Sequence, residues 1–554
     1  MCGIWSLINL KSAFGDLSPY FSDFIRLINR GPDDTRIEVF GNNVMVGFHR
    51  LAIMDLSTNS NQPYVLEDGN RKIIFLCNGE IYNYQELNEQ YDLGIEGHKD
   101  CLVIPELYLQ LTDGEDDFQE WVNLFGLDIK GEFAFIMLEY QDNVLKYVIS
   151  GRDQIGIRPL YYSVNDDNIL FTSEIKGANN YEGEVKEFKP GSVLVYKLDE
   201  SEDLVYRTYS FRWLYRVKER NLLDEEHIEE IKTSVINSVR RRLHADRPIA
   251  FLLSGGVDSS LVASIASREF DEPINTFCCG MRGATDFEYA RKVAEHIGSN
   301  HTEVYFTEQE GLGAIRDVIY ATETWDTTTI RASVGQYMVS KYISENTDYK
   351  VVLVGEGPDE VCSSYLFNWY APTGDKLDRS SKEYVKNIHM YDVKRCDRCI
   401  SHFGLEGRVP LLDPEFISAY WTLPSDKRHP KYNNIEKYWL RQAFVDGDYL
   451  PMEVLWRTKE AFSDGVSSKT RSWYQIIQDW CSEYVMDSEM KNNGFEYYKP
   501  ITKEAYYFRK VFREHFGDNR DKIIPKYWLP KWDSFGNEIS GYIDPSARIL
   551  NLYS

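Results

Sequence analysis

The sequence predicts two folds in one chain: layered antiparallel sheets up to about residue 210, and an α/β fold with a parallel sheet after it. Short apolar runs separated by Gly, Asn and Asp recur in the first part, which is typical of sheets packed in layers. In the second part, strand-like runs alternate with helical stretches, and this order favours a parallel sheet covered on both faces. A length of 554 residues allows about two to four domains.

The N-terminal strands are predicted from short apolar runs in which β-branched and aromatic residues are frequent. The runs are Val44–Phe48, Ile73–Cys77, Phe133–Leu138, Tyr147–Ile149 and Val193–Tyr196. Polar turn residues follow each run, so the segments are too short for helices and suit strands.

The C-terminal elements begin with a helix, because apolar residues there recur every three or four positions. These residues are Ile228, Ile231, Val235, Val239 and Leu243. A buried-strand run, Ile249–Leu253, follows Pro248 and leads through a glycine turn to an apolar helical stretch from Leu261. A second strand-like run, Lys350–Val354, ends in another glycine turn.

The charged stretch Arg216–Glu226 indicates a linker or a helix start between the two folds. We therefore predict domains at residues 1–210 and 211–516, and a C-terminal tail at 517–554 to which the sequence assigns no function.

Composition limits the classes of partner and compartment. Lys and Arg number 62 against 87 Asp and Glu, and the formal charge of −25 disfavours nucleic acid and anionic lipid in general. The nine cysteines do not form a disulfide pattern, and Cys396 and Cys399 are expected to be buried thiols rather than zinc ligands. No apolar stretch approaches the roughly 18–20 residues that span a bilayer, and the N-terminus lacks signal-peptide features. We expect a cytoplasmic protein.

Cys2 is the first candidate catalytic residue. Removal of Met1 would leave Cys2 with both a thiol and an α-amine, whose pKa of about 8 suits a general base. Such a residue is an activated nucleophile that needs no histidine. The alternative is that Cys2 is a small apolar residue at the start of a strand.

Four other residues supply what acyl transfer needs. Asn78 and Gly79, which follow a strand, offer an amide and an unhindered N–H to an oxyanion. Arg50 suits a carboxylate and Asp100 an ammonium, so together they fit an α-amino acid. The alternative is that Arg50 and Asp100 are solvated surface charges and that Gly79 only forms a turn.

The string SGGVDSS at 254–260 follows a predicted strand and precedes a helical stretch, an arrangement that favours pyrophosphate binding. Gly255 and Gly256 let an anion approach the backbone, and there is no Walker lysine. Asp258 would repel phosphate unless Mg²⁺ intervened, so it is a candidate metal ligand. The alternative is a glycine-rich turn that caps a helix.

A second turn, GEGPDE at 355–360, also follows a strand, where open α/β sheets bind ligands. Asp359 is the second candidate magnesium ligand, and Glu356 is placed nearer the reacting carboxyl group. Lys459 reads as an ordinary exposed lysine, and its expected role in neutralising departing pyrophosphate rests mainly on a family pattern.

The motifs MCGI at the N-terminus, RGPDD at 30–34, HRLAIMD at 49–55 and NGEIYN at 78–83 resemble the glutaminase domain of class II glutamine amidotransferases. The resemblance implies an α+β fold of the Ntn-hydrolase type, with Cys2 as nucleophile, Asn78 and Gly79 as oxyanion hole, and Arg50 and Asp100 as substrate clamps. It completes the glutamine pocket with Leu51, Ala52, Ile53, Met54 and Glu80. Lys99 departs from the small polar residue usual in the family, a change expected to alter glutamine affinity only.

SGGVDSS resembles the ATP-pyrophosphatase signature, and with the glutaminase motifs the chain is similar to the glutamine-hydrolysing asparagine synthetase family. The likeness extends to about residue 515 through TWDTTTIRAS, GEGPDEV, GLEGRVPLLD, WRTKEAFSDG and KEAYYFRKVF. It implies an adenine nucleotide alpha hydrolase-like fold and a catalytic role for Glu356. The implied ATP site comprises Leu252, Ser254, Gly255, Gly256, Asp258, Ser259, Cys279, Val354, Gly355 and Lys459.

Several positions depart from the family pattern. Val354 and Pro358 stand where the family usually has Ser, Ser363-Ser364 where it has Gly-Gly, and Gly407 where it has Ala. Val354 lacks a hydroxyl beside the nucleotide, and Pro358 lacks a backbone donor beside a presumed metal ligand. These changes bear on turnover more than on the fold.

The expected function is asparagine synthesis: glutamine hydrolysis at Cys2, and attack of ammonia on a β-aspartyl-AMP intermediate. The cofactors are ATP and Mg²⁺, the partners are small molecules, and the oligomeric state stays open, with a homodimer as one option. The chemistry requires an acid-activating site and an ammonia source, and only the resemblance names aspartate. The alternatives are a glutaminase with a degenerate synthetase half, a ligase for another acid, which Cys2 argues against, and a non-catalytic binding module.

Overall fold

The computed structural model describes residues 1–112, 118–198, 204–458, 466–467 and 471–545. Within it the chain forms two compact units. Unit 1 consists of Met1–Trp213 together with two short later segments, His244–Arg247 and Ser401–Glu406. Unit 2 consists of the remaining described residues.

Unit 1 contains two antiparallel six-stranded sheets. The strands are β1 (Gly3–Asn9), β2 (Asp34–Phe40), β3 (Val44–Arg50), β4 (Tyr64–Asp68), β5 (Arg71–Ile81), β6 (Gly131–Gln141), β7 (Val144–Arg152), β8 (Tyr161–Val164), β9 (Asn168–Thr172), β10 (Lys186–Glu187), β11 (Ser192–Leu198) and β12 (Leu204–Ser210). Their order is β10-β8-β9-β1-β3-β2 in one sheet and β12-β11-β7-β6-β5-β4 in the other. The prediction of antiparallel sheets is confirmed, and every predicted apolar run lies within a strand.

The core of unit 1 follows from alternation along these strands. Side chains two residues apart point to the same face, so Val44, Val46 and Phe48 of β3 enter one buried cluster with Ile74 and Leu76 of β5. Cys2 packs at the edge of this cluster. Four helices complete the α+β unit: α1 (Ser18–Ile25), α2 (Tyr84–Tyr91), α3 (Val103–Leu111) and α4 (Gln119–Leu127).

Unit 2 is built on one five-stranded sheet in the order β15-β14-β13-β16-β17. Its strands are β13 (Ile249–Leu252), β14 (Asn275–Gly280), β15 (Asn300–Tyr305), β16 (Val351–Leu353) and β17 (Glu406–Arg408). β13 pairs in parallel with both β14 and β16, so the carboxyl ends of three neighbouring strands meet at one edge. The predicted parallel sheet is confirmed.

Helices surround this sheet. They are α5 (Asp224–Arg241), α6 (Val257–Ser267), α7 (Thr285–Ile297), α8 (Glu308–Thr322), α9 (Thr327–Asn346), α10 (Pro358–Val361), α11 (Gly374–Asn387), α12 (Asp392–Ser401), α13 (Pro414–Trp421), α14 (Ser425–Arg428), α15 (Pro430–Asn433), α16 (Tyr438–Gln442), α17 (Met452–Leu455), α18 (Trp473–Tyr484), α19 (Asp487–Lys491) and α20 (Lys503–Phe516). Leu243, predicted on the face of α5, lies beyond its end. Cys396 and Cys399 are buried, as predicted, and form no disulfide bond with a described residue. Among the described residues, no helix is both long and apolar enough to cross a membrane.

The described part of the tail packs onto unit 2. Trp532 is 1% exposed and lies in a cluster with Phe367, Ala371 and Leu377, and the Tyr384 hydroxyl donates to the Leu529 carbonyl. This contact could not be predicted from the sequence, because no periodic pattern marks the residues after 517.

Trp532→Ala is expected to lower the free energy of unfolding by about 3–5 kcal/mol, since it removes a fully buried indole. Phe535→Ala is the matched control, because Phe535 is 86% exposed and its removal should change stability by less than about 0.5 kcal/mol. Urea denaturation followed by circular dichroism measures both. Equal midpoints for the two variants would contradict the packing of the tail.

Candidate active sites

Cys2 lies where the two sheets of unit 1 come together. It directly precedes β1, whose Gly3 pairs with His49 of β3. The Cys2 backbone N–H donates to Asn78 Oδ1 on β5 at 2.9 Å, and the thiol lies 3.8 Å from the Leu51 carbonyl oxygen. The surroundings of Cys2 thus include Asn78 from one sheet and Leu51, the residue that follows β3, from the other.

Asn78 offers a buried donor beside this thiol. Its side chain is 0% exposed, and Nδ2 makes no hydrogen bond to any described residue. Buried donors without acceptors are rare in folded proteins, and a donor next to a nucleophile suits a developing oxyanion. At Gly79 a Cβ atom would lie 2.4 Å from the Glu132 carbonyl oxygen, so β6 can approach only a glycine here.

With Met1 in place, the Cys2 nitrogen is an amide and has no basic lone pair. Met1 is 1% exposed, and its ammonium lies 3.3 Å from Glu406 Oε2. Burial lowers the pKa of that ammonium and raises the pKa of the Cys2 thiol to about 11. The thiol is therefore protonated at neutral pH while Met1 remains.

Arg50 ends β3 with its guanidinium directed into the following turn. It donates to Asn61 Oδ1 at 2.5 Å, to the Ser57 carbonyl at 2.6 Å and to the Met54 carbonyl at 3.4 Å. Nη2 also donates to the Asp55 carbonyl, so both terminal nitrogens of the guanidinium are engaged by the turn, and a bidentate contact with a ligand carboxylate requires these bonds to rearrange. Asn61 was not singled out from the sequence.

Asp100 lies beside β5. Its Oδ2 accepts from the Ile81 N–H at 2.7 Å, and burial raises its pKa to about 6. Tyr64 interacts electrostatically with both Asp100 and Arg50, and burial raises the pKa of its hydroxyl. Tyr64 was not singled out from the sequence.

The segment Leu51–Met54 is buried throughout, as is Glu80. The RGPDD motif supports this segment, since Asp33 Oδ2 accepts from the Ala52 N–H at 2.8 Å. Lys99 immediately precedes the short 3-10 helix Asp100–Leu102 and is half-buried.

The pKa of Asp100 predicts a pH dependence of glutamine use. If Asp100 binds the substrate ammonium, as the sequence predicts, a pKa of about 6 means that this contact is lost as pH falls through 6, since the carboxyl group is charged above that pH and neutral below it. We expect KM for glutamine to rise about tenfold per pH unit below 6, separately from the fall in kcat that protonation of the Cys2 α-amine causes. Glutamate release between pH 5 and 8 measures this, and Asp100→Asn should be uniformly weak and lack the inflection. An unchanged inflection in that variant would assign it to another group.

In unit 2, SGGVDSS follows β13, as the sequence predicted, but α6 begins at Val257, within the string, rather than at Leu261. Gly255 has φ +73°, a left-handed conformation that favours glycine, and Gly256 caps α6. The Ser254 N–H donates to Ser259 Oγ at 3.1 Å. The loop thus closes on itself and directs the first N–H groups of α6 outward from the helix N-terminus.

The second turn, after β16, touches this loop. A Cβ on Gly355 would lie 2.5 Å from the Ser259 N–H nitrogen, so the contact requires glycine. Between the two turns lies a cavity of about 140 Å³. This volume is smaller than the roughly 300–1,000 Å³ of typical ligand pockets and suits phosphate groups rather than a whole nucleotide. The predicted residues that line it are Leu252, Ser254, Gly256, Asp258, Ser259, Val354, Gly355, Glu356 and Asp359.

Three predicted residues are not among those that line the cavity. The Gly255 carbonyl accepts a hydrogen bond from Arg457 at 3.2 Å. Cys279 lies in β14, with its thiol against the Val339 backbone. Lys459 lies outside the described residues.

Asp258 and Asp359 converge on Lys437. The Lys437 ammonium lies 2.5 Å from Asp258 Oδ2 and 2.5 Å from Asp359 Oδ1. Burial alone would lower the pKa of Lys437, but the two carboxylates raise it above its usual value. Two carboxylates directed at one cation are the oxygen donors that Mg²⁺ prefers, so the donor set fits this metal. Lys437 is separated by 179 residues from Asp258, and no sequence signal pointed to it.

Glu356 forms an ion pair with Arg395 at 2.8 Å, and Arg395 also pairs with Asp392 at 2.6 Å. Burial raises the pKa of Glu356 to about 7, although Arg395 lowers it. Both protonation states are therefore populated near neutral pH. Arg457 is a further missed residue: it contacts Asp286 at 3.2 Å and stacks on Tyr289.

The departures from the family pattern have local explanations. Pro358 is the first residue of α10, where a backbone N–H would lack a helical acceptor anyway. A methyl group on Gly407 would lie 2.9 Å from Ile400 Cδ1, so the neighbouring side chain occupies that space. Val354 is buried and presents only alkyl groups to the cavity.

Two family models match the sequence. A glutamine amidotransferase domain covers residues 1–208, and asparagine synthase covers residues 230–375 and 369–535. These matches define a class of enzyme that joins an amidotransferase to an amide-forming synthetase.

The glutamine-hydrolyzing asparagine synthetase of Gallus gallus is 38% identical over 585 residues, which cover 100% of this chain and 99% of that protein. The corresponding proteins of Bos taurus and Homo sapiens are each 38% identical over 583 residues, with the same coverage. The chain belongs to the glutamine-hydrolysing asparagine synthetase family.

Proposed function

We propose that this chain makes asparagine from aspartate, ATP and glutamine, with AMP and pyrophosphate as products. The observation that supports this most is the convergence of the two glycine turns of unit 2 on one cavity that holds Asp258, Asp359 and Glu356. A glutaminase alone has no use for such a site. The same chain places a thiol beside a buried amide donor in unit 1.

Glutamine hydrolysis begins, in this proposal, once Met1 has been removed. The freed α-amine of Cys2 takes the thiol proton, and the thiolate attacks the side-chain amide carbon of glutamine. Asn78 Nδ2 and the Gly79 N–H stabilise the oxyanion, and the protonated amine returns its proton to the leaving ammonia. Arg50 binds the substrate carboxylate and Asp100 its ammonium, while Leu51–Met54 and Glu80 complete the pocket. Water then hydrolyses the thioester to glutamate.

Asparagine formation follows in unit 2. The aspartate side-chain carboxylate attacks the α-phosphorus of ATP, and the bond to the β,γ-pyrophosphate breaks. The N–H groups at the start of α6 and the side chain of Lys459 bind the pyrophosphate. Leu252, Val354 and Gly355, which line the cavity, lie beside the bound nucleotide, and Cys279 is not part of this lining. Ammonia then attacks the acyl carbon and AMP leaves. Glu356, with its pKa of about 7, accepts the proton that the attacking nitrogen must lose.

Asp258 and Asp359 would hold Mg²⁺ in this site. When bound, the ion neutralises charge that builds up on the pyrophosphate. We further propose a cytoplasmic enzyme with small-molecule substrates and without nucleic-acid or membrane partners, in line with its charge of −25. A homodimer is the assembly to test first.

The proposal is tested by an acceptor screen that follows AMP and pyrophosphate with ATP, Mg²⁺ and each candidate amino acid, first with ammonium and then with glutamine. Release that depends on aspartate and yields asparagine is the expected result. Glutamate formation without any AMP would instead favour a glutaminase with a degenerate synthetase half. Release with a different acid would change the substrate but keep the ligase chemistry.

A further inference from the structure

The turn after α10 folds back onto Asp359. The Ser364 N–H donates to the Asp359 carbonyl at 2.9 Å, and the Ser364 hydroxyl donates to Asp359 Oδ1 at 2.6 Å. Ser364 is 2% exposed. Ser363 reverses the chain with φ +54°, in the left-handed region. One buried residue thus holds both the backbone and the carboxylate of Asp359.

The Ser364 hydroxyl and the Lys437 ammonium both contact the same oxygen, Asp359 Oδ1. Lys437 Nζ lies 2.5 Å from Asp359 Oδ1, the atom that accepts from Ser364. Two donors on one oxygen fix the rotation of a carboxylate, which is otherwise broad. Ser364 does not itself line the cavity, so any effect on the site passes through Asp359.

We propose that Ser364 is a positioning residue for the divalent cation of the nucleotide site. Its hydroxyl keeps the Asp359 carboxylate in a single orientation toward the cavity, which lowers the cost of binding the ion. This inference rests on the proposed role of Asp359 as a metal ligand. Hydrogen bonds to a ligating carboxylate commonly change metal affinity by about 10–100-fold.

Mn²⁺ binding tests the proposal directly. Electron paramagnetic resonance titrations of the full-length protein with Mn²⁺ and α,β-methylene-ATP, which resists cleavage, give a Kd without turnover. We expect Ser364→Ala and Ser364→Gly to raise this Kd about tenfold, and Ser364→Thr, which keeps the hydroxyl, to restore it. Activity should show a raised half-saturating Mg²⁺ concentration with kcat nearly unchanged at saturating metal.

Ser238→Ala is the matched control. Ser238 is 0% exposed, and its hydroxyl donates to the Val235 carbonyl within α5, so its Kd should equal that of the parent. Parental Kd values in folded Ser364→Ala and Ser364→Gly would overturn the proposal.

Asp359→Asn distinguishes an error in the role of Ser364 from an error in the proposed metal site. If Asp359→Asn weakens Mn²⁺ binding but the Ser364 variants do not, only Ser364 loses its role. If Asp359→Asn also binds normally, the metal site itself is misassigned.

Discussion

Cys2→Ala is expected to abolish asparagine synthesis from glutamine while synthesis from ammonium continues at its original rate. The substitution removes the thiol that lies beside the Leu51 carbonyl on the residue whose N–H contacts Asn78, so the proposed acyl-enzyme cannot form. We expect glutamate release to fall by at least about 1,000-fold. The nucleotide cavity belongs to unit 2 and keeps all its lining residues.

Amino-acid analysis of asparagine and glutamate, with glutamine or ammonium as nitrogen source, measures both activities. Cys481→Ala is the matched control, since Cys481 is a fully buried thiol in α18 and should leave both rates unchanged. Glutamine-dependent synthesis at the parental rate in Cys2→Ala would show that another group is the nucleophile. A parent protein that keeps Met1 is expected to lose glutamine-dependent synthesis as Cys2→Ala does, because its Cys2 nitrogen is an amide and is not basic.

Asp258→Asn is expected to have the converse effect. It should lower AMP formation by at least about 100-fold with either nitrogen source, because the carboxylate that faces Lys437 and the proposed metal is lost. Glutaminase activity should persist, since unit 1 keeps Cys2, Asn78 and Asp100.

Asp378→Asn provides the control for charge removal. Asp378 also pairs with two cations, Arg428 at 2.7 Å and Lys382 at 3.0 Å, but it lies outside the cavity. The Asp378→Asn variant should form AMP at the rate of the parent. If Asp258→Asn and Asp378→Asn lose AMP formation equally, the loss would reflect general stability rather than a role of Asp258 in the site.

Local pattern was enough to predict the two sheets. The alternation of Val44, Val46 and Phe48 marks a strand with one buried face. The string SGGVDSS between an apolar run and a helical stretch likewise placed Gly255 and Asp258 at the start of α6. The strand and the loop depend on residues that are close in sequence. A periodic pattern or a motif is therefore enough to predict them.

Contacts between distant residues were not predictable in this way. Lys437 meets Asp258 across 179 residues, and Arg395 meets Glu356 across 39. No spacing rule connects such pairs, because the fold rather than the local sequence brings them together. The hydroxyl of Ser364 illustrates the same limit: the sequence marked it as a departure from the family, and only the turn after α10 shows that it contacts Asp359.

Transfer of the glutamine amide nitrogen to asparagine is the central claim, and an isotope measurement tests it most directly. The enzyme is given aspartate, ATP, Mg²⁺ and glutamine labelled with ¹⁵N at the side-chain amide, and the asparagine is analysed by mass spectrometry. The account predicts asparagine with ¹⁵N in its side-chain amide and one AMP for each molecule formed. Glutamate that accumulates with neither labelled asparagine nor AMP would contradict it.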